Sequence, residues 1–116
     1  ENGHRRERRH TPLKVALVEP ALLTLISQQA RHGYSLLADL ESLGLERLHP
    51  SVVYRTLRQM EELQWIESEW DNENMQGPPR RIYSLTHIGA AALDTWQEEL
   101  LKSQEIIQLL LKDKST

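Results

Sequence analysis

The 116-residue sequence predicts a mainly α domain with a small β-hairpin, extended by one long C-terminal helix. Apolar residues recur at three-four spacing in three short stretches between residues 18 and 63, each bounded by Gly or Pro. The period then drops to two across "WIESEWDN" and "RRIYSLT". Beyond Thr86 the helical period returns and runs almost to the last residue.

The first helix is expected over 18 to 29, "VEPALLTLISQQ", with Leu22, Leu23, Leu25 and Ile26 on its buried side and Pro20 in its first turn. Gly33 breaks the chain, Ser35 is placed to cap, and Leu36, Leu37, Leu40 and Leu43 form the stripe of a second helix from about 34 to 43, closed by Gly44. Pro50 opens a third helix, which runs to about Leu63. Two strands follow, joined by the turn-rich "DNENMQGPP". Thr86 caps the last helix, in which Leu93, Trp96, Leu100, Ser103, Ile107 and Leu110 keep the seam spacing of a helix that packs on another helix. Leu101, Ile106, Leu109 and Leu111 widen this seam beyond what one small domain covers, so a second copy of the chain is the expected cover. The alternative is a helix folded back on its own domain.

Composition narrows the class. With 39% hydrophobic residues the length suits one domain with a modest core. The absence of cysteine excludes a disulfide framework and thiolate chemistry, and no run is apolar enough for a membrane span, so a cytoplasmic protein is expected. Net charge is −3, yet residues 1 to 14 hold five of the 14 basic residues and two of the 17 acidic ones. Residues 1 to 17 therefore read as a basic, flexible arm in front of an acidic body, an arm of the kind that reaches DNA phosphates. Histidines at 4, 10, 32, 49 and 87 have no metal-site spacing, and neither a Gly-rich phosphate loop nor a G-x-S-x-G motif is present. No metal, cofactor or catalytic residue is expected.

On a helical wheel the third helix places Val53, Leu57 and Met60 on one face and Ser51, Tyr54, Arg55, Arg58 and Glu62 on the opposite one. Arginine grips guanine or a phosphate with a two-pronged fork, and Tyr and Ser hydroxyls donate to phosphates. Such a wheel also describes an ordinary solvated face; the neighbouring elements decide. A trihelical unit followed at once by a hairpin has the order of a winged helix-turn-helix, in which the third helix enters the major groove and the hairpin touches the flanking backbone. Arg80 and Arg81 stand at the base of that wing. Trp65 and Trp70 are expected to pack the hairpin against the helices.

Three segments, "HGYSLLADLESLGL", "HPSVVYRTLRQMEELQWIESEW" and "GPPRRIYSLTHIGAAAL", resemble the PadR family of bacterial winged-helix transcriptional regulators in its short form. The resemblance implies a winged helix-turn-helix over 18–86 and a C-terminal dimerisation helix over 87–116. It also implies a homodimer that binds a pseudo-palindromic double-stranded DNA operator as a repressor. It puts Ser51, Tyr54, Arg55 and Arg58 on the DNA-facing side, Arg80 and Arg81 on the wing, and Leu93, Trp96, Leu100, Ile107 and Leu110 in the dimer interface. Trp96 is also a candidate contact for a small-molecule inducer, since aromatic residues near the dimer centre stack planar ligands in multidrug-sensing relatives. Here it lies about a turn away from that placement, which favours packing. Two departures from the family wording are His49, where a small capping residue is common, and Gln64, where Gly is frequent. The rival function is a winged-helix module that binds protein rather than DNA.

Overall fold

A computed structural model describes residues 11–71 and 80–112. Its elements are α1 (Pro12–Gln28), β1 (Arg31–His32), α2 (Gly33–Ser42), α3 (Pro50–Glu62), β2 (Ile66–Asp71), β3 (Arg80–Leu85) and α4 (His87–Lys112). The mainly helical class and the hairpin agree with the sequence reading. The first helix and the sheet differ from it, and Ser35, expected to cap α2, lies inside that helix with its hydroxyl donating to the His32 carbonyl at 3.0 Å.

The first helix begins at Pro12, so residues 12 to 17 belong to α1 rather than to an arm. The Thr11 hydroxyl accepts the Lys14 backbone N–H at 3.2 Å, and Pro12 occupies the first turn, where a missing N–H costs nothing. Pro20, expected to open the helix, lies inside it and is buried. The basic residues at 5 to 9 lie outside the described residues. The second difference is β1, a two-residue strand whose Arg31 and His32 pair with Tyr83 and Ile82 of β3. The antiparallel sheet therefore has the order β1-β3-β2, with β3 flanked on both sides.

The core forms where α1, α2 and α3 converge on the sheet. Leu22 and Leu23 of α1, Leu36 and Leu40 of α2, and Val53, Leu57 and Met60 of α3 are fully buried, with Ile66 and Tyr83 closing the cluster from the hairpin. Each fully buried aliphatic side chain of this size contributes about 1.5–3 kcal/mol. That burial fixes how each helix is rotated about its own axis.

Two helices end in the same way. At the end of α2, Leu45 N–H bonds to Leu40 C=O and Gly44 N–H to Glu41 C=O, a Schellman closure with Gly44 at φ +96°. At the end of α3, Trp65 N–H bonds to Met60 C=O and Gln64 N–H to Glu61 C=O, with Gln64 at φ +65°. The turn into β2 thus survives without glycine, at a left-handed backbone cost of about 1 kcal/mol.

Thr86 welds this turn to α4. Its backbone N–H donates to Trp65 C=O at 3.0 Å, and its hydroxyl lies 2.6 Å from Gln64 C=O and accepts the Gly89 N–H at 3.0 Å. Gly89 packs so closely that a Cβ there would stand 1.9 Å from the Trp65 carbonyl oxygen. From this anchor α4 runs for 26 residues and packs its first half on α1.

Gly89→Ala is expected to lower the free energy of unfolding by about 3 kcal/mol, read from urea denaturation, because the carbonyl it meets belongs to backbone that cannot swing aside. Gln64→Gly is expected to raise it by about 0.5–1 kcal/mol in the same measurement, by relieving the left-handed residue.

Candidate nucleic-acid interface

Burial of Val53, Leu57 and Met60 turns the opposite side of α3 outward. Ser51, Tyr54, Arg55 and Arg58 are all exposed, Tyr54 at 39%. On the wheel, Tyr54 and Glu61 flank the side toward the hairpin, while Val52, Thr56 and Gln59 flank the side toward α1 and α4. Arg55 stands at the rim of a cleft with Glu19, Gln59 and Trp96 on the latter side.

The start of α3 is held by His49. Its Nδ1 accepts the Ser51 backbone N–H at 3.1 Å and lies 2.8 Å from Ser51 Oγ. An imidazole thus replaces the usual short capping side chain, with Pro50 in the first turn.

Tyr54 leans back over the start of α2, where Gly33 leaves room: a Cβ there would lie 3.1 Å from Tyr83 Cε2 and 3.4 Å from Tyr54 Cε1. Tyr83 itself is buried beneath this surface. Burial pushes its phenol above the ordinary value, the Glu61 carboxylate pushes the same way, and Arg81 opposes them. Arg58 also acts on it, so Arg58 of α3 and Arg81 of the hairpin belong to one electrostatic neighbourhood.

On the hairpin, Arg80 and Arg81 open β3 opposite Asp71 and Trp70. Arg80 places its guanidinium carbon 4.5 Å from the Tyr34 ring centroid, and Arg81 places its own 4.7 Å from that of Trp70. Trp65 packs against the core as expected, but Trp70 does not: it is 56% exposed and lies beneath Arg81. It shares the helix-facing side of β2 with Ile66 and Ser68, but the strand carries it past the core to the rim of a notch with Gly33, Tyr34 and Tyr54. Tyr34, which the sequence reading did not single out as a site residue, is likewise exposed. The H-G-Y wording marked its position, but only the fold brings it to Arg80. His32 contributes differently, its Nε2 lying 2.8 Å from Asp71 Oδ2 and tying β1 to the far end of β2.

At the other end of the molecule, Leu93 is buried in its own protomer's core, so the chain already covers this member of the expected seam. Trp96 is half-buried against α1 and donates its indole N–H to Glu19 Oε2 at 2.8 Å. Leu100 is half-buried, Ile107 is 40% exposed and Leu110 70% exposed. A groove of about 840 Å³ runs between α1 and α4, with Leu17, Trp96, Leu100 and Ile107 among its walls. Among the described residues no group of three His, Asp or Glu side chains could hold a metal ion, and no helix is long and apolar enough to cross a membrane.

A trihelical unit whose third helix exposes two arginines, with an adjoining two-stranded wing, has the architecture of a winged helix-turn-helix. The model of the PadR-like family of transcriptional regulators matches residues 22–95, and the chain belongs to that family. Its members are DNA-binding regulators of transcription, not enzymes. Among solved structures, a Streptococcus transcriptional regulator is 28% identical with a TM-score of 0.72, the match covering 86% of this chain and 98% of the other. A PadR-like transcriptional regulator from Bacillus cereus is 25% identical with a TM-score of 0.73, covering 83% and 92%. A Thermoplasma acidophilum protein described as a putative transcriptional regulator shares the fold at 24% identity and a TM-score of 0.77, covering 88% and 97%. No curated protein matches the chain.

His49→Ala is expected to cost about 1 kcal/mol of stability and to fray the first turn of α3 in amide exchange, while His49→Asn retains the cap. Tyr83 supplies a pH dependence. Its phenol keeps its proton longer in the folded chain than in the unfolded one, so stability is expected to fall as pH rises through about 10. Denaturation midpoints across that range should flatten in Tyr83→Phe.

Proposed function

We propose that the protein represses transcription as a cytoplasmic homodimer bound to a pseudo-palindromic operator. The observation that carries this reading is the side of α3 bearing Ser51, Tyr54, Arg55 and Arg58, which the protomer leaves uncovered. In this arrangement α3 enters the major groove, where Arg55 and Arg58 supply forks for guanine edges or phosphates, and Arg80 and Arg81 follow the flanking backbone. Occupancy of the operator blocks polymerase.

The second half of α4 supports the homodimer. Leu101, Ile106, Leu109, Leu110 and Leu111 are between 58 and 70% exposed, more contiguous apolar surface than a monomer ordinarily leaves to water. In the dimer Trp96, Leu100, Ile107 and Leu110 face the partner, with Leu93 stiffening the helix root from within its own core. A two-fold axis through this contact sets the recognition helices about 34 Å apart, one duplex turn.

A small-molecule inducer acts by favouring an angle between the two winged domains that misses this spacing. The α1–α4 groove lies in the volume range of small-ligand sites. Trp96 has its N–H committed to Glu19, so it offers a ligand its ring face rather than its edge.

Arg55→Ala and Arg58→Ala are each expected to weaken binding to a selected operator by about 1–3 kcal/mol while leaving the dimer intact. Fluorescence anisotropy with labelled duplex measures the first and sedimentation equilibrium the second. Trp96→Ala is expected to weaken the dimer, and DNA binding through it. No duplex binding even at low salt would overturn the reading and leave the apolar α4 as a protein-docking surface.

A further inference from the structure

Resting on the DNA-binding reading, we propose that the notch between α2, α3 and the hairpin is a phosphodiester clamp, in which Tyr34 and Trp70 act as positioning residues for Arg80 and Arg81. The notch has a volume of about 300 Å³, with Gly33 and Tyr54 on its helical side and the two stacked guanidiniums on its hairpin side. Tyr34 and Trp70 are 55% and 56% exposed, so core packing does not account for either. What each does is carry an arginine on its ring.

A guanidinium lying over an aromatic face loses the freedom of a long solvated side chain and keeps its in-plane N–H groups for another partner. Arg81 is fixed a second time, because its Nε donates to Ser68 Oγ at 3.1 Å and Ser68 Oγ donates to Glu61 Oε2 at 2.7 Å. With Nε engaged, the two terminal nitrogens remain for an anion. The chain Glu61–Ser68–Arg81 also ties the hairpin to the recognition helix, so clamp and helix move as one body.

Charge chooses the occupant. Two arginine forks face the notch, with Arg58 nearby, and the neighbouring carboxylates are engaged: Asp71 with His32, and Glu61 with Ser68. An unpaired base is a poor fit, since guanidiniums already cover the aromatic faces on which it would stack. A DNA phosphate fits. The notch lies between the helix that enters the groove and the wing beside it, where the backbone strand must pass.

The test uses the full chain and labelled mixed-sequence and operator duplexes, titrated at several salt concentrations. Arg81→Ala should reduce the slope of log affinity against log salt by about one, the loss of one phosphate contact. Trp70→Leu alters no charge, yet should weaken both duplexes alike by about three- to tenfold and flatten the slope in the same direction. Trp70→Phe should stay near wild type, as should Tyr34→Phe, whereas Tyr34→Leu should behave like Trp70→Leu. Thermal melting of all five variants should match wild type, since the substituted side chains lie largely in solvent. Unaltered affinity and slope in Trp70→Leu overturn the clamp, and so do equal losses in the Phe and Leu variants. A loss confined to one duplex sequence also overturns it, because backbone contacts carry no sequence. Inorganic phosphate that displaces duplex at constant ionic strength would make the notch a free-anion site instead. A wild-type chain that binds no duplex refutes the DNA reading itself, and the clamp with it.

Discussion

The rotation of α3 about its own axis is the constraint on which the remaining structure depends. Val53, Leu57 and Met60 are fully buried, and a helix that buries these three can present only Ser51, Arg55, Arg58 and their neighbours to the outside. At about 1.5–3 kcal/mol for each buried side chain, turning the helix by even one residue position would forfeit a large share of a small domain's stability. The direction of the guanidiniums is therefore a consequence of the core.

The same logic extends outward through one junction. The carbonyl of Trp65 accepts the Thr86 N–H and is the atom against which Gly89 packs, so the end of α3, the start of β2 and the start of α4 meet within a few bonds. The wing cannot tilt without moving the root of α4. In a two-fold assembly joined through α4, that junction becomes the route by which an altered dimer angle reaches the reading surface. Trp96 and Glu19 add a second link, between α4 and α1, on the flank of α3 that carries Arg55.

Periodicity made most of the architecture legible. The three-four spacing of leucines in α2 and α4, and the switch to alternation at Ile66, each follow from burial on one side of an element. What the sequence concealed has identifiable causes. Pro20 suits a first turn, and that local preference hid the capped start at Thr11; tertiary burial of α1 outweighs an internal proline. The strand β1 is too short to show a period and exists because β3 has a free edge beside Arg31 and His32. Leu93 fits both a seam and a core, which spacing alone does not separate. The outward residues of α3 could be read from the wheel, but the pairing of Trp70 with Arg81 depends on cross-strand register, and that of Tyr34 with Arg80 on how α2 meets the sheet. His49 and Gln64, both departures from the family wording, keep the local geometry by other chemistry: a ring nitrogen caps, and a left-handed glutamine turns.

Although the net charge is −3, Arg58, Arg80 and Arg81 lie together around Tyr83. The most direct measurement is an amide chemical-shift titration of the isotope-labelled protein with duplex DNA. The account requires the largest changes at residues 50 to 58, with a second set at 68 to 71 and 80 to 83 and little beyond residue 100. Changes confined to the exposed leucines of α4, with α3 silent, would contradict it.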